Sequence, residues 1–189
     1  MRPEPGQVLH FSEDPTITVF EPHVAATAKQ AEPYVWAVDH DRAPDYWFPR
    51  LCPRAMAWTE EYTTEDDRLR IIGDEQRIHA VEYGWLEAMR TVELYAYRLP
   101  ADEFEPFRDY CHVSTRTVHP LGPAERVGNL FDLHASAGIQ LRVLPNLWPF
   151  WDRVTVSSLG FSGIRLANGC PRGQAVPVFQ SESGCIRST

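Results

Sequence analysis

Apolar residues along this chain come in short runs, each closed by a proline or a charged turn. Val8-Leu9-His10-Phe11 predicts a strand that stops at the turn-forming Ser12-Glu13-Asp14-Pro15. Ile17, Val19 and Phe20 make a second short run before Pro22, and the small and polar residues 23–33 predict a loop. Tyr34 to Val38 predicts the next strand, ending in Asp39-His40-Asp41-Arg42. Ala43 to Phe48 predicts a short helix with Pro44 in its first turn, and Arg50 to Trp58 a strand entered through a proline. The charged residues 59–76 predict an exposed connection, helical around Glu65 to Ile72. Ile78, Ala80 and Tyr83 fit a strand or a helix that runs on through Trp85 to Met89. Val92 to Leu99 alternates partly and predicts a strand closed by Pro100, and Tyr110 to Val118 predicts another. Leu130 to Ala137 predicts a helix with Asn129 as N-cap and Gly138 just past its end. Ile139 to Leu144 and Val154 to Leu166 supply the last strands. From Asn168 onward no apolar period remains, which predicts one domain over 1–167 and a flexible tail over 168–189. The fold class that follows is α+β.

Charge narrows the function. Eighteen basic against 26 acidic residues give a net charge of −8, too acidic for a surface that holds a nucleic-acid duplex through its phosphates. No apolar run approaches the roughly 20 residues needed to cross a bilayer, and the first residues lack a basic-then-apolar leader. The expectation is a cytoplasmic protein with no membrane partner. Lys29 is the only lysine, so Schiff-base chemistry and a P-loop lysine are excluded. Sixteen prolines favour short strands joined by irregular loops. Cys52, Cys111, Cys170 and Cys185 form no CxxC pair, so free thiols are expected, without a structural disulfide or zinc.

Common site motifs are missing: there is no GxGxxG, GxSxG or HExxH. The histidines at 10, 23, 40, 79, 112, 119 and 134 include no pair at helical metal spacing, and no metal site is assigned. The candidate chemistry lies in the first hundred residues. A strand ending in His10-Phe11-Ser12 precedes the strand Val35-Trp36-Ala37-Val38-Asp39, and Tyr46 follows Trp36 by ten residues. This order resembles the diphtheria-toxin and poly(ADP-ribose) polymerase branch of the ADP-ribosyltransferase superfamily. The resemblance implies a small split or two-sheet β core, ADP-ribosyltransferase-like, with NAD as cofactor. By it His10, with Ser12 beside it, would hold the nicotinamide ribose. Trp36 would stand where the branch has its first tyrosine, and Tyr46 would stack on the nicotinamide. Phe11 stands where the branch has a glycine, and the late strand Ser157 to Ser162 carries no acid. Glu82, the one acid inside an apolar strand-like run, is then left as the electrostatic stabiliser of an oxocarbenium-like sugar.

Arg50 and Arg54 add to this reading. Four apart in an extended chain they share a face, and two guanidiniums suit a pyrophosphate. The reaction implied is cleavage of the nicotinamide–ribose bond of NAD or a related nucleotide, with transfer to an acceptor or to water. Two alternatives stand beside it: a non-catalytic module that binds a small molecule or a protein, and an enzyme using histidine and carboxylate acid–base chemistry without NAD. A second resemblance covers about residues 8–168 and rests on His10-Phe11-Ser12-Glu13-Asp14-Pro15, Val35-Trp36-Ala37, Phe48-Pro49-Arg50-Leu51-Cys52-Pro53-Arg54 and Phe161-Ser162-Gly163-Ile164-Arg165-Leu166. These strings are similar to a family of bacterial proteins known only as a domain of unknown function, which implies a single domain and no particular activity.

Overall fold

The computed structural model describes residues 1–24, 31–107 and 111–173. Its architecture is α+β, with three small sheets among the described residues rather than one split sheet or two. The first sheet has the order β1 (Gln7–Ser12), β5 (Tyr95–Pro100), β8 (Glu125–Arg126), all antiparallel. The second is four-stranded, β10 (Gly160–Ile164), β3 (Arg54–Trp58), β4 (Arg77–Glu82) and β9 (Gln140–Leu144), with β4 and β9 parallel. The third sheet is β2 (Val35–Ala37), β7 (Cys111–Ser114) and β6 (Glu105–Phe107). A bridge between Leu9 and Val38 joins the first sheet to the third, so β1 and β2 run as neighbours.

Among the described residues four short helices fill the gaps: α1 (Glu65–Asp67), α2 (Leu86–Thr91), α3 (Leu130–Ser136) and α4 (Trp148–Val154). Asn129 caps α3 by accepting from the N–H groups of Phe131 and Asp132, and Gly138 follows with φ +65°, where a side chain would be strained. Helix α1, capped by the Thr64 hydroxyl, continues as a π turn over Arg68–Ile72. In α4, Phe150 and Val154 face the four-stranded sheet together with Leu147 just before it, packing on Ala55, Ala57, Ile78 and Ala80. That helix occupies the start of the segment read as strand from Val154, and the strand proper begins only at Gly160.

Two further differences have local causes. Arg50 to Pro53 is a turn, not strand, because Pro49 and Pro53 close on it and the Cys52 N–H returns to the Pro49 carbonyl at 2.9 Å. The chain after Asn168 does not leave the domain at once: Cys170 and Pro171 offer carbonyls to Trp148 Nε1 (2.9 Å) and Asn146 Nδ2 (3.1 Å), and Arg172 pairs with Asp152. Residues 174–189, the remainder of the expected tail with Cys185, lie outside the described residues. So do residues 25–30 of the expected loop and Tyr110 at the head of its strand. Cys52, Cys111 and Cys170 are free thiols. No helix among the described residues is long and apolar enough to cross a membrane.

Candidate functional site

On β1, alternation sends Val8 and His10 one way and Leu9 and Phe11 the other. Val8 belongs to the core of Phe20, Val35, Tyr97 and Leu99, and Leu9 to the core of Val38, Trp47, Phe48 and Leu130. His10 therefore sits on the Phe20 side, its ring 4.8 Å from that of Phe20. Its Nδ1–H donates to the Trp36 carbonyl at 2.8 Å, and burial lowers its pKa below the ordinary histidine value, against the pull of that hydrogen bond. Tyr46 ends the 3-10 turn Ala43–Tyr46 and packs with Phe11 against the Leu9 core. Its ring lies parallel to Phe11 at 6.5 Å, and its hydroxyl is 3.9 Å from Cys111 Sγ. His10 and Tyr46 thus lie on opposite faces of β1, and no single cleft holds them both.

Of the other expected site residues, all but Arg50 have side chains engaged within the protein. The Ser12 hydroxyl accepts from the Asp14 N–H in a turn. Arg50 is exposed, and its N–H donates to Glu13 at 2.8 Å. Arg54, only 3% exposed, donates from Nε to the Asp45 carbonyl (2.7 Å) and from Nη1 to the Cys52 carbonyl (3.0 Å), with its guanidinium over Phe48 and Tyr46. The two arginines share no face, because the turn at 50–53 replaces the extended chain that would have aligned them. Glu82 ends β4 on the α4 side, where its carboxylate accepts from the N–H groups of Leu147 (3.0 Å) and Cys170 (2.9 Å). Its role is to anchor backbone. Trp36 is half-buried on the Leu9 side, edge-to-face with Tyr34 (5.8 Å) and Phe107 (5.2 Å).

A buried polar network with no motif in the sequence holds the centre. Asp45, His79 and His134 are 2%, 0% and 1% exposed. The proton order follows from one fixed acceptor. His134 Nδ1–H must donate to the Leu130 carbonyl (2.7 Å), which leaves Nε2 to accept from His79 Nδ1–H (3.1 Å). His79 Nε2 then accepts from Arg77 Nε at 3.1 Å, and Arg77 and Arg42 both pair with the Asp45 carboxylate. Burial drives the His79 pKa down to about 4 despite the nearby carboxylate, so the ring is neutral. For Asp45 burial pushes toward the neutral acid, and its polar neighbours, Arg77 and Arg42 among them, outweigh it and keep the carboxyl ionised. Arg42 and Arg77 in turn stack on Trp58 at 4.2 and 5.2 Å. The network ties the 43–46 turn to β4 and α3, and nothing in it reaches solvent broadly enough to meet a substrate. Among the described residues, no group of three or more His, Cys, Asp or Glu side chains could hold a metal ion.

The third sheet ends in an open groove of about 300 Å³. Tyr34, Phe104, Phe107 and Val113 form its apolar wall. Asp102, Glu103, Glu105 and Arg116 stand at its polar rim. The β6–β7 pairing sets this arrangement, because Glu105 opposite Val113 brings the Phe104 end of β6 beside Ser114 and Thr115. Ser114 is buried and its hydroxyl accepts from the Arg116 N–H (3.2 Å), turning the chain at the groove's edge. Its sequence signal is Phe104-Glu105-Pro106-Phe107, two aromatics around an acid and a strand-blunting proline.

Comparison with known proteins adds one match. A family described as a family of unknown function (DUF6886) matches residues 9–169, a stretch that includes the groove and the buried network. No curated protein and no solved structure matches the chain. The resemblance read from the His10-to-Pro15 and Phe161-to-Leu166 strings thereby has its counterpart, and the chain belongs to this family of unknown function, DUF6886.

Proposed function

We propose that this protein is a non-catalytic module that binds a small organic molecule in the groove at the end of the β2–β7–β6 sheet. One observation carries the reading: the groove is open, with the edges of Tyr34, Phe104 and Phe107 along one side and a larger share of polar groups on its rim. Concave sites with a few polar groups at an aromatic wall are the usual form of small-molecule sites. NAD cleavage draws less support, since it needs His10 and Tyr46 in one cleft with Arg54 and Glu82 facing the ligand. Those two charged groups already satisfy backbone partners.

The test is a protein-observed NMR screen of the full chain with a set of fragments of varied charge, together with NAD, ADP-ribose and nicotinamide. Expected are amide shifts centred on Tyr34, Phe107, Val113 and Thr115. A ligand at 100 times its dissociation constant adds about 2.7 kcal/mol of stability, readable as a thermal shift. Shifts centred on His10, Phe11 and Tyr46 with NAD or ADP-ribose would reverse the assignment in favour of a nucleotide site.

A further inference from the structure

We infer that the groove selects an organic cation, an alkylammonium or quaternary ammonium group; this rests on reading the groove as the binding site. The wall comes first in the argument. Tyr34 and Phe107 meet with ring centroids 5.5 Å apart, inclined at 52°, and Trp36 closes against both from the same side of the sheet. Tyr34 and Phe107 both line the groove, and aromatic rings at the border of a site attract a desolvated cation. The Tyr34 hydroxyl donates to the Glu32 carboxylate, which adds negative charge beside that wall and enriches the phenol ring.

The rim has the same sign. Asp102, Glu103 and Glu105 stand against one guanidinium, that of Arg116, among the described residues that line the groove. Among the described residues none of these three carboxylates takes part in an ion pair or accepts a hydrogen bond, whereas Glu65, Glu87, Glu93 and Glu125 elsewhere on the surface are each paired with an arginine. A phosphate or carboxylate ligand would meet this excess as repulsion. A cation meets it as attraction, and the whole-chain charge of −8 steers a cation inward from solution.

The experiment separates charge from shape. The full chain is titrated by ¹H–¹⁵N NMR with choline and, separately, with 3,3-dimethylbutan-1-ol, the neutral molecule of the same shape, at one ionic strength. Choline is expected to shift the amides of Tyr34, Glu105, Phe107 and Thr115 with an affinity about tenfold above that of the neutral alcohol. The double variant Glu103→Gln and Glu105→Gln, which alters partly or fully exposed side chains and leaves the fold intact, is expected to bring the two affinities within about twofold. Equal affinity of the two probes for the unaltered chain overturns the cation inference and leaves the groove standing as a site. Choline shifts that lie away from the groove, or that survive the double variant unchanged, overturn it as well. If neither probe moves the groove amides the inference fails, and the fragment screen decides separately whether the groove binds anything.

Discussion

His79 shows how one residue's surroundings set its chemistry. Its folded pKa of about 4 lies below the ordinary 6.5, so between those values the unfolded chain binds the extra proton. Stability from this residue is complete above about pH 7 and is lost as pH falls from 6.5 toward 4, by ~3 kcal/mol in all. His79→Gln, which keeps a donor for His134 and an acceptor for Arg77, should flatten most of that loss in melting temperatures taken across that acid range. An unchanged slope would mean that another group carries the dependence. His10 predicts a different outcome. His10→Ala removes the donor to the half-hidden Trp36 carbonyl and should cost about 1–3 kcal/mol in urea unfolding, with ligand binding in the groove unaffected. A variant that kept its stability but lost ADP-ribose binding would return His10 to a functional role. None of this is legible at the level of single residues. The seven histidines look alike in sequence, and only tertiary pairing makes two of them a buried relay and a third a backbone clamp.

Elements are legible where their signals are local. Helix α3 appears with its Asn129 cap and Gly138 stop as the pattern predicts, and β1, β5 and β9 overlap their apolar runs. Helix α4 escapes the sequence reading although Leu147, Phe150, Trp151 and Val154 recur at helical spacing. Pro149 looks like a breaker there, whereas the first turn of a helix tolerates it. The extended reading of 50–53 fails for the converse reason: Pro49 and Pro53, which fit the entry to a strand, instead close a turn. Helix α4 also carries the clearest element-level prediction. Phe150→Ala should cost about 3–5 kcal/mol in chemical unfolding by emptying the core between α4 and the four-stranded sheet. Truncation after Asn168 removes the Cys170 N–H from the buried Glu82 carboxylate and the carbonyl that Trp148 uses. The shortened chain should lose about 1–3 kcal/mol, measured the same way, and an unchanged midpoint would show that water replaces both partners.

At the scale of the molecule, the α+β class is legible in the alternation of short strands with short helices, but the division into three sheets is not. Strand partners are chosen by surfaces that meet only in the folded chain, and sequence spacing carries no record of them. The groove is invisible for the same reason: Tyr34 and Phe107 belong to segments that are joined only through β7. The pairing pattern has a consequence for how the chain reaches this state. Two hairpin-like pairs are local, β3 with β4 and β6 with β7. Others reach far along the chain, with Gln7 opposite Pro100, Ile78 beside Gln140 and Trp58 opposite Gly160. Each such contact requires a long loop to close before any burial rewards it, so folding belongs in the slow class, on the order of milliseconds to seconds. On a ribosome the four-stranded sheet must wait for β10, the last strand among the described residues to emerge, and until then β3 shows one bare edge to every other nascent chain nearby.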